Sequence, residues 1–431
     1  RSGMAFTSLN FFLFLPLVYA GFFFSPARLR WAWLLLASIA FYAGCGGVNL
    51  VYLAAVSGIT YAFGLAIESS GTATAARRRI MLTLAVTGLI GSLAVFKYLD
   101  FFAGEVERLL SFEGLPRLQL TAPVGYSFYI FMATAYLVDV DRQTVAAESH
   151  AGRFALFLAL FPKILAGPIE RAKPLIPQLR DKLQADPGLT VLGLQLILWG
   201  LVKKVVIADN LAPFVDRTFS IAAYAAPMDL LISVYFFAFQ IYCDFSGYSD
   251  IAIGLSLLFG IRLMENFRRP YLSQSVSEFW SERWHISLGR WFRDYLYIPL
   301  GGSRAGSARL YLNIMLVFVA SGLWHAGLGY GVGWTFLIWG LINGLYLWAG
   351  LATRPLRQTI SDHLPAFANK SLMAPLRIVV TFHFILVSWI VFRAESLDQA
   401  VLILTRIANA LPSLPALVPN FPFTADHLFG A

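Results

Sequence analysis

Between Met4 and Ala66 the chain carries only two charged residues, Arg28 and Arg30. About a quarter of the residues of a soluble domain are charged, so no soluble domain sustains such a stretch. An apolar run of this length has to be divided into segments that cross lipid. The whole chain agrees: of 431 residues, 58% are hydrophobic and 13% charged. Open sheet edges cannot be satisfied in a bilayer, so the spans should be helices. The expected fold class is an all-α polytopic membrane protein. Arg1-Ser2-Gly3 ahead of Met4 reads as a cloning remnant and is set aside.

Segments of membrane length fall at 8–25, 30–46, 47–67, 79–98, 122–138, 154–168, 190–208, 229–246, 248–262, 309–325, 333–352 and 375–394. Shorter apolar pieces at 98–112 and 396–411 suit the membrane interface. Roughly ten to thirteen transmembrane or re-entrant helices are expected. The first run, FFLFLPLVYAGFFF, has no basic flank before it and reads as an ordinary span or signal anchor rather than a cleaved leader. With no repeat and no long linker, residues 4–431 read as a single membrane-embedded domain.

The basic residues orient the spans. Arg28 and Arg30 follow the first, uncharged GCGGVN follows the second, and Arg77-Arg78-Arg79 precede the fourth. The positive-inside rule then puts the N-terminus outside. Segment 262–309 holds eight arginines against four acids and should be a cytosolic amphipathic segment. The loop with Arg354, Arg357, Lys370 and Arg377 should be cytosolic too, and the glycine-rich tip AGLGYGVG should face outward. The net charge of +9 therefore reports topology and contact with anionic lipid, not nucleic acid. Cys45 and Cys243 lie in apolar context and should be free thiols.

Ionisable groups within apolar segments are unfavourable and mark candidate sites. His325, in LVFVASGLWHAGLG, stands about 24 Å above Arg309 at 1.5 Å per residue, deep in the membrane or toward its outer side. It is either a structural histidine or a general base suited to neutral pH. Drawn as one helix, SERWHISLGRWFRD gathers Trp280, Trp284, Leu288, Trp291, Phe292 and Tyr295 on one arc, with Arg283, Arg290 and Asp294 opposite. His285 sits at the edge of the apolar arc, and the tryptophans suit an interfacial belt. Asp244 and Asp250 flank Gly247, which suggests a helix break, with Ser246 or Ser249 starting the next helix. Lys203-Lys204 suit snorkelling, His383 a structural role on an apolar face, and His150, His363 and His427 lie in loops. No nucleotide-binding, nucleophile-elbow or metal-ligand spacing is present, so no metal is expected. Two histidines without a metal partner suit acid–base transfer chemistry.

Several motifs extend this reading. The ungapped block 240–304, QIYCDFSGYSDIAIG through RWHISLGRWFRDYLYIPLGGSR, is followed by SGLWHAGLG and WTFLIWGLINGL. PVGYSFYIF at 123–131, FPKILAGPIER at 161–171, GLVKKVVIADNL at 200–211 and FHFILVSWIVFRAES at 382–396 accompany it. Together they resemble the membrane-bound O-acyltransferase family, in its bacterial alginate O-acetylation branch, which also includes D-alanyl transfer proteins of teichoic acid modification. The resemblance implies a ring of tilted helices around a central tunnel, with His325 catalytic and His285 the second essential residue. It implies acyl transfer from a cytosolic thioester, acetyl-CoA or an acyl carrier, with no bound cofactor. Asp244, Asn313 and Trp324 are candidate supporting residues: Asn313 as an oxyanion donor, Asp244 as a partner for one of the arginines of 262–309. Arg283, Arg290 and Arg293 are candidate donor-binding residues.

The implied setting is a bacterial inner membrane, with polysaccharide acetylation completed by a periplasmic acetyltransferase of the SGNH-hydrolase type or within a polysaccharide synthase complex. D-alanyl transfer to teichoic acid is the alternative within the family. A proton-coupled transporter is the alternative outside it, but neither an inverted repeat nor paired broken helices are found. Two departures from the family pattern stand out: LWHAGLGYGVGWTF is longer than usual, and Asn343 stands where many relatives have histidine. Relatives also tend to continue beyond FRAES for longer than this chain does.

Overall fold

The computed structural model describes residues 4–70, 75–112, 114–180, 183–184, 186–304, 306–326, 334–363 and 373–413. Residues 327–333 of the glycine-rich tip, Lys370 and His427 lie outside the described residues. Every regular element among the described residues is helical. Among the described residues, seven helices are long and apolar enough to cross a membrane: Gly47–Ser69, Ala75–Leu110, Pro187–Ser220, Pro227–Leu258, Ser307–His325, Trp334–Ala352 and Ala374–Arg393. The chain divides into two compact units, Arg1–Val202 with Ser246–Glu265, and Lys203–Phe245 with Asn266–Ala431.

The first unit contains α1 (Leu9–Phe24), α2 (Arg30–Gly44), α3 (Gly47–Ser69), α4 (Ala75–Leu110), α5 (Tyr126–Asp141), α6 (Ala151–Ala159), α7 (Phe161–Ile164), α8 (Ala172–Arg180) and α9 (Pro187–Leu201). The segments expected at 79–98 and 98–112 are one continuous helix, α4. The span expected at 154–168 is instead two short buried helices. Leu160 leaves the helical conformation between them, Pro162 sits at the start of α7 and lacks the donor a continuous helix needs, and the Phe161 N–H donates to Ser38 Oγ at 3.0 Å.

Gly247 does not break a helix. Residues 227–258 form one helix, α11 (Pro227–Leu258), so Ser246 and Ser249 lie in its interior and cap nothing. Its glycines serve a crossing with α9. A Cβ on Gly254 would stand 2.5 Å from the carbonyl oxygen of Gly193, and one on Gly200 would stand 2.6 Å from that of Gly247. Only glycine lets two backbones approach this closely, the usual device for packing helices in lipid.

The second unit contains α10 (Asp209–Ser220), the first part of α11, α12 (Val276–Glu278), α13 (Ile286–Phe292), α14 (Ser307–His325), α15 (Trp334–Ala352), α16 (Arg354–Asp362), α17 (Ala374–Arg393) and α18 (Leu397–Ala410). α14 and α15 form an antiparallel pair on the same principle: a Cβ on Gly322 would meet the Phe336 carbonyl oxygen at 2.3 Å, and one on Gly340 that of Phe318 at 2.4 Å. Between Val202 and Ala208 the chain makes a π-helical turn. Lys204 in this turn pairs with Asp244 at 2.5 Å and with Asp209 at 2.8 Å. Asp244 therefore pairs with a lysine, not with an arginine of 262–309. Lys203 is buried, its ammonium 5.6 Å from the centre of the Tyr242 ring, so neither lysine snorkels. Both cysteines are free thiols.

Candidate active site

The stretch SERWHISLGRWFRD is not one helix. A π-helical turn over Phe279–Arg283 ends at Trp284, His285 adopts a left-handed backbone with φ +45°, and α13 starts at Ile286. Non-glycine residues enter this region at a cost of about 1–3 kcal/mol and stay only where surroundings enforce it. Here the enforcing residue is Asn266, which is fully buried. Its backbone carbonyl accepts the Ile286 N–H at 2.9 Å, and its Oδ1 accepts the Ser287 N–H at 3.2 Å and the Ser287 hydroxyl at 2.9 Å. The kink turns His285 inward, where it is 3% exposed. Trp284 and Trp291 are buried as well, which overturns their reading as an interfacial belt.

His285 lies in an aromatic sleeve. Its ring centre is 4.6 Å from that of Phe245, 6.4 Å from Phe267 and 6.0 Å from Trp324. Burial holds its pKa well below the usual histidine range, and the nearby His325 acts in the same direction. The imidazole is therefore neutral, with one N–H donor and one acceptor nitrogen. Trp324 also touches His325, at 4.7 Å, so one indole contacts both histidines.

His325 is the last residue of α14. Its Nδ1 lies 2.7 Å from the Ser321 carbonyl oxygen. A carbonyl can only accept, so Nδ1 carries a proton, and in the neutral ring Nε2 carries the lone pair. Trp339 and Phe392 pack against the ring at 5.2 and 5.7 Å.

Both histidines line one cavity of about 1330 Å³ contained in the second unit. One wall is a single face of α14 (Leu310, Ile314, Val317, Phe318, Ser321, His325), a run of about 22 Å at 1.5 Å per residue. α15 lines it only from Tyr346 to Leu351 and α17 only from Leu376 to Phe384. α15 runs antiparallel to α14, with the Trp348 indole donating to the Tyr311 carbonyl at 2.8 Å, so these wall residues lie beside the start of α14. Arg354, Arg357 and Arg377 therefore belong to the end of the cavity opposite His325. Arg290 and Arg293 also line it.

The remaining sequence candidates are placed elsewhere. Arg283 is bound to Glu278 at 2.7 Å and does not line the cavity. Asn313 donates to the carbonyls of Gly302 and Leu300 at 3.0 and 3.2 Å, fixing the turn before α14, and is not on the cavity wall. Asp244 belongs to the Lys204 cluster and is not on it either. His383 donates from Nδ1 to the Val379 carbonyl and accepts the Tyr235 hydroxyl at Nε2, a structural pairing. No cluster able to hold a metal ion occurs among the described residues. Sequence reasoning missed Asn266, and it missed Arg354, Arg357 and Arg377 as cavity residues. Their charges were read for topology, and nothing in the spacing joins them to residues 285–325.

One cavity thus brings together a buried imidazole, His285, a half-buried one, His325, and an arginine-lined far end. Comparison with known proteins gives the class. The family model "MBOAT, membrane-bound O-acyltransferase family" matches residues 140–392. A probable alginate O-acetylase of Azotobacter vinelandii is 40% identical over 401 residues, covering 92% of this chain and 76% of that protein. The Pseudomonas aeruginosa counterpart is 38% identical over 401 residues, covering 92% and 73%. A peptidoglycan O-acetyltransferase of Helicobacter pylori is 34% identical over 430 residues, covering 92% and 78%. The chain belongs to the membrane-bound O-acyltransferase family. It is a multi-pass membrane enzyme and an O-acyltransferase.

Proposed function

We propose that the protein moves an acetyl group from acetyl-CoA to a hydroxyl of an exported polysaccharide, with His325 as general base and His285 as its partner. One observation carries this reading: a single cavity joins an arginine-lined end to a histidine whose tautomer is fixed. Arg290, Arg293, Arg354, Arg357 and Arg377 suit the phosphates of the donor, which arginines bind as charged hydrogen-bonding forks. The thioester then extends along α14 toward His325. Nε2 of His325 accepts the proton of the acceptor hydroxyl as its oxygen attacks the thioester carbonyl. The tetrahedral intermediate collapses with cleavage of the C–S bond, and the thiolate takes the proton back from the imidazolium and leaves as free thiol. The single N–H of neutral His285 is a candidate donor to the oxyanion.

The charge pattern supports a cytosolic arginine end in a bacterial inner membrane, with the N-terminus and the acceptor on the periplasmic side. The names of the relatives support a glycan acceptor. The test is transfer of radiolabel from acetyl-CoA to alginate oligosaccharides in proteoliposomes. Full activity in a folded His325→Ala variant would sink the proposal.

A further inference from the structure

Trp280 lines the cavity with Trp284, His285, Phe318, Ser321 and His325. Its indole N–H donates to Asn343 Oδ1 at 3.0 Å. Asn343 is fully buried, and its Nδ2 donates to the Trp339 carbonyl one turn earlier at 2.8 Å. Both ends of a buried amide are thus committed to fixing one indole against α15. A buried polar group is retained at little cost only when satisfied in this way.

The indole closes off a direction of growth. It stands edge-on to Trp339 at 5.4 Å, Trp389 at 5.9 Å and Phe318 at 6.1 Å. Trp339 and Trp389 stack behind it, 6.3 Å apart and 10° from parallel, each 1% exposed. α15 before Tyr346 and α17 after Phe384 contribute nothing to the cavity wall. The space is therefore wide at the arginine end and bounded by aromatic rings at the histidine end.

We propose that Trp280, positioned by Asn343, limits the acyl group presented to His325 to short chains. This rests on the thioester-donor reading above. A thioester whose carbonyl reaches His325 carries its acyl tail into the aromatic end, and each added methylene there meets a ring held by a hydrogen bond. Trp280 is then a determinant of acyl-chain specificity and Asn343 its positioning residue. Pockets of this kind discriminate by about 10- to 200-fold per methylene.

The test supplies acetyl-, butyryl- and hexanoyl-CoA to wild-type protein and to Trp280→Ala, Trp280→Phe and Asn343→Ala variants in proteoliposomes, with alginate oligosaccharides as acceptor. Free thiol release and mass spectrometry of the glycan are the readouts. The quantity compared is the ratio of hexanoyl to acetyl transfer, which partial loss of folded protein does not change. The wild type should use acetyl-CoA almost alone. Trp280→Ala should raise the ratio at least about tenfold, with Trp280→Phe and Asn343→Ala moving it by smaller steps in the same direction. Trp280 variants that turn over acetyl-CoA at the wild-type ratio would overturn the inference and leave the donor reading intact. Wild-type protein that releases no thiol from any of these donors would overturn the donor reading and the inference with it.

Discussion

The Nδ1 of His325 donates to the carbonyl oxygen of Ser321 at 2.7 Å, within the helix that carries them both. The bond is intrahelical, so it survives any rearrangement that leaves α14 folded. It fixes Nε2 as the basic nitrogen of the neutral ring. His325→Asn retains a side-chain donor for Ser321 but has no basic nitrogen. Acyl transfer should fall by a factor of about 100 to 10,000, the usual worth of a positioned base. Thermal stability in detergent should stay close to wild type. Radiolabel transfer and a melting curve on the same preparation check both halves.

His285 gives the protein an acid sensitivity with a definite sign. Burial holds its folded-state pKa well below the usual value, whereas in the unfolded chain the ring titrates near 6.5. Below that pH only the unfolded state takes up the proton, so stability falls as pH falls. Between about pH 7.5 and pH 5.5, wild type should lose more melting temperature than His285→Gln. Parallel losses in the two proteins would show that the ring is not the group responsible.

Asn266 should matter to activity although it lies off the cavity wall. Asn266→Ala removes both bonds to Ser287 and keeps the backbone bond to Ile286. The expected stability loss is about 1–3 kcal/mol for a buried network left incomplete. kcat should fall while KM for the donor holds, because the arginine end is untouched. A rise in KM alone would contradict this assignment.

These residues also mark what the sequence made legible. Apolar length and charge alternation were enough to identify a helical membrane protein, and LWH with RWHIS were enough to single out His325 and His285. The helical wheel misread the second motif because it treated 281–294 as continuous. The kink at His285 is imposed by Asn266, from outside the motif. Gly247 read as a break for a related reason: a glycine's local preference is visible in sequence, while its carbonyl lying 2.6 Å from where a Cβ on Gly200 would stand is not. Asp244 was assigned an arginine because arginines follow it in sequence. Its partner, Lys204, precedes it on a different helix.

The arginine end should govern donor affinity and little else. Arg354→Gln, Arg357→Gln and Arg377→Gln should each raise KM for acetyl-CoA, and the triple variant should raise it by at least tenfold. kcat at saturation should change far less. Added salt should raise the wild-type KM and affect the triple variant weakly, because there is less charge left to screen. Steady-state kinetics at low and high ionic strength separate these outcomes.

The α14–α15 crossing offers a paired test of how the site is held. A Cβ at residue 340 would lie 2.4 Å from the Phe318 carbonyl oxygen, a backbone atom that cannot move aside cheaply. Gly340→Ala should therefore force the helices apart, at a cost of about 1–3 kcal/mol. It should also weaken catalysis, because His325 on α14 packs against Trp339 on α15 at 5.2 Å. Gly88 on α4 provides the control, since a Cβ there meets nothing within 4 Å. Gly88→Ala should be neutral or stabilise by about 0.5–1 kcal/mol through better helix propensity. Melting curves and transfer assays on the two variants should diverge. If both variants behave alike, the crossing is not what holds His325 in register with Trp339.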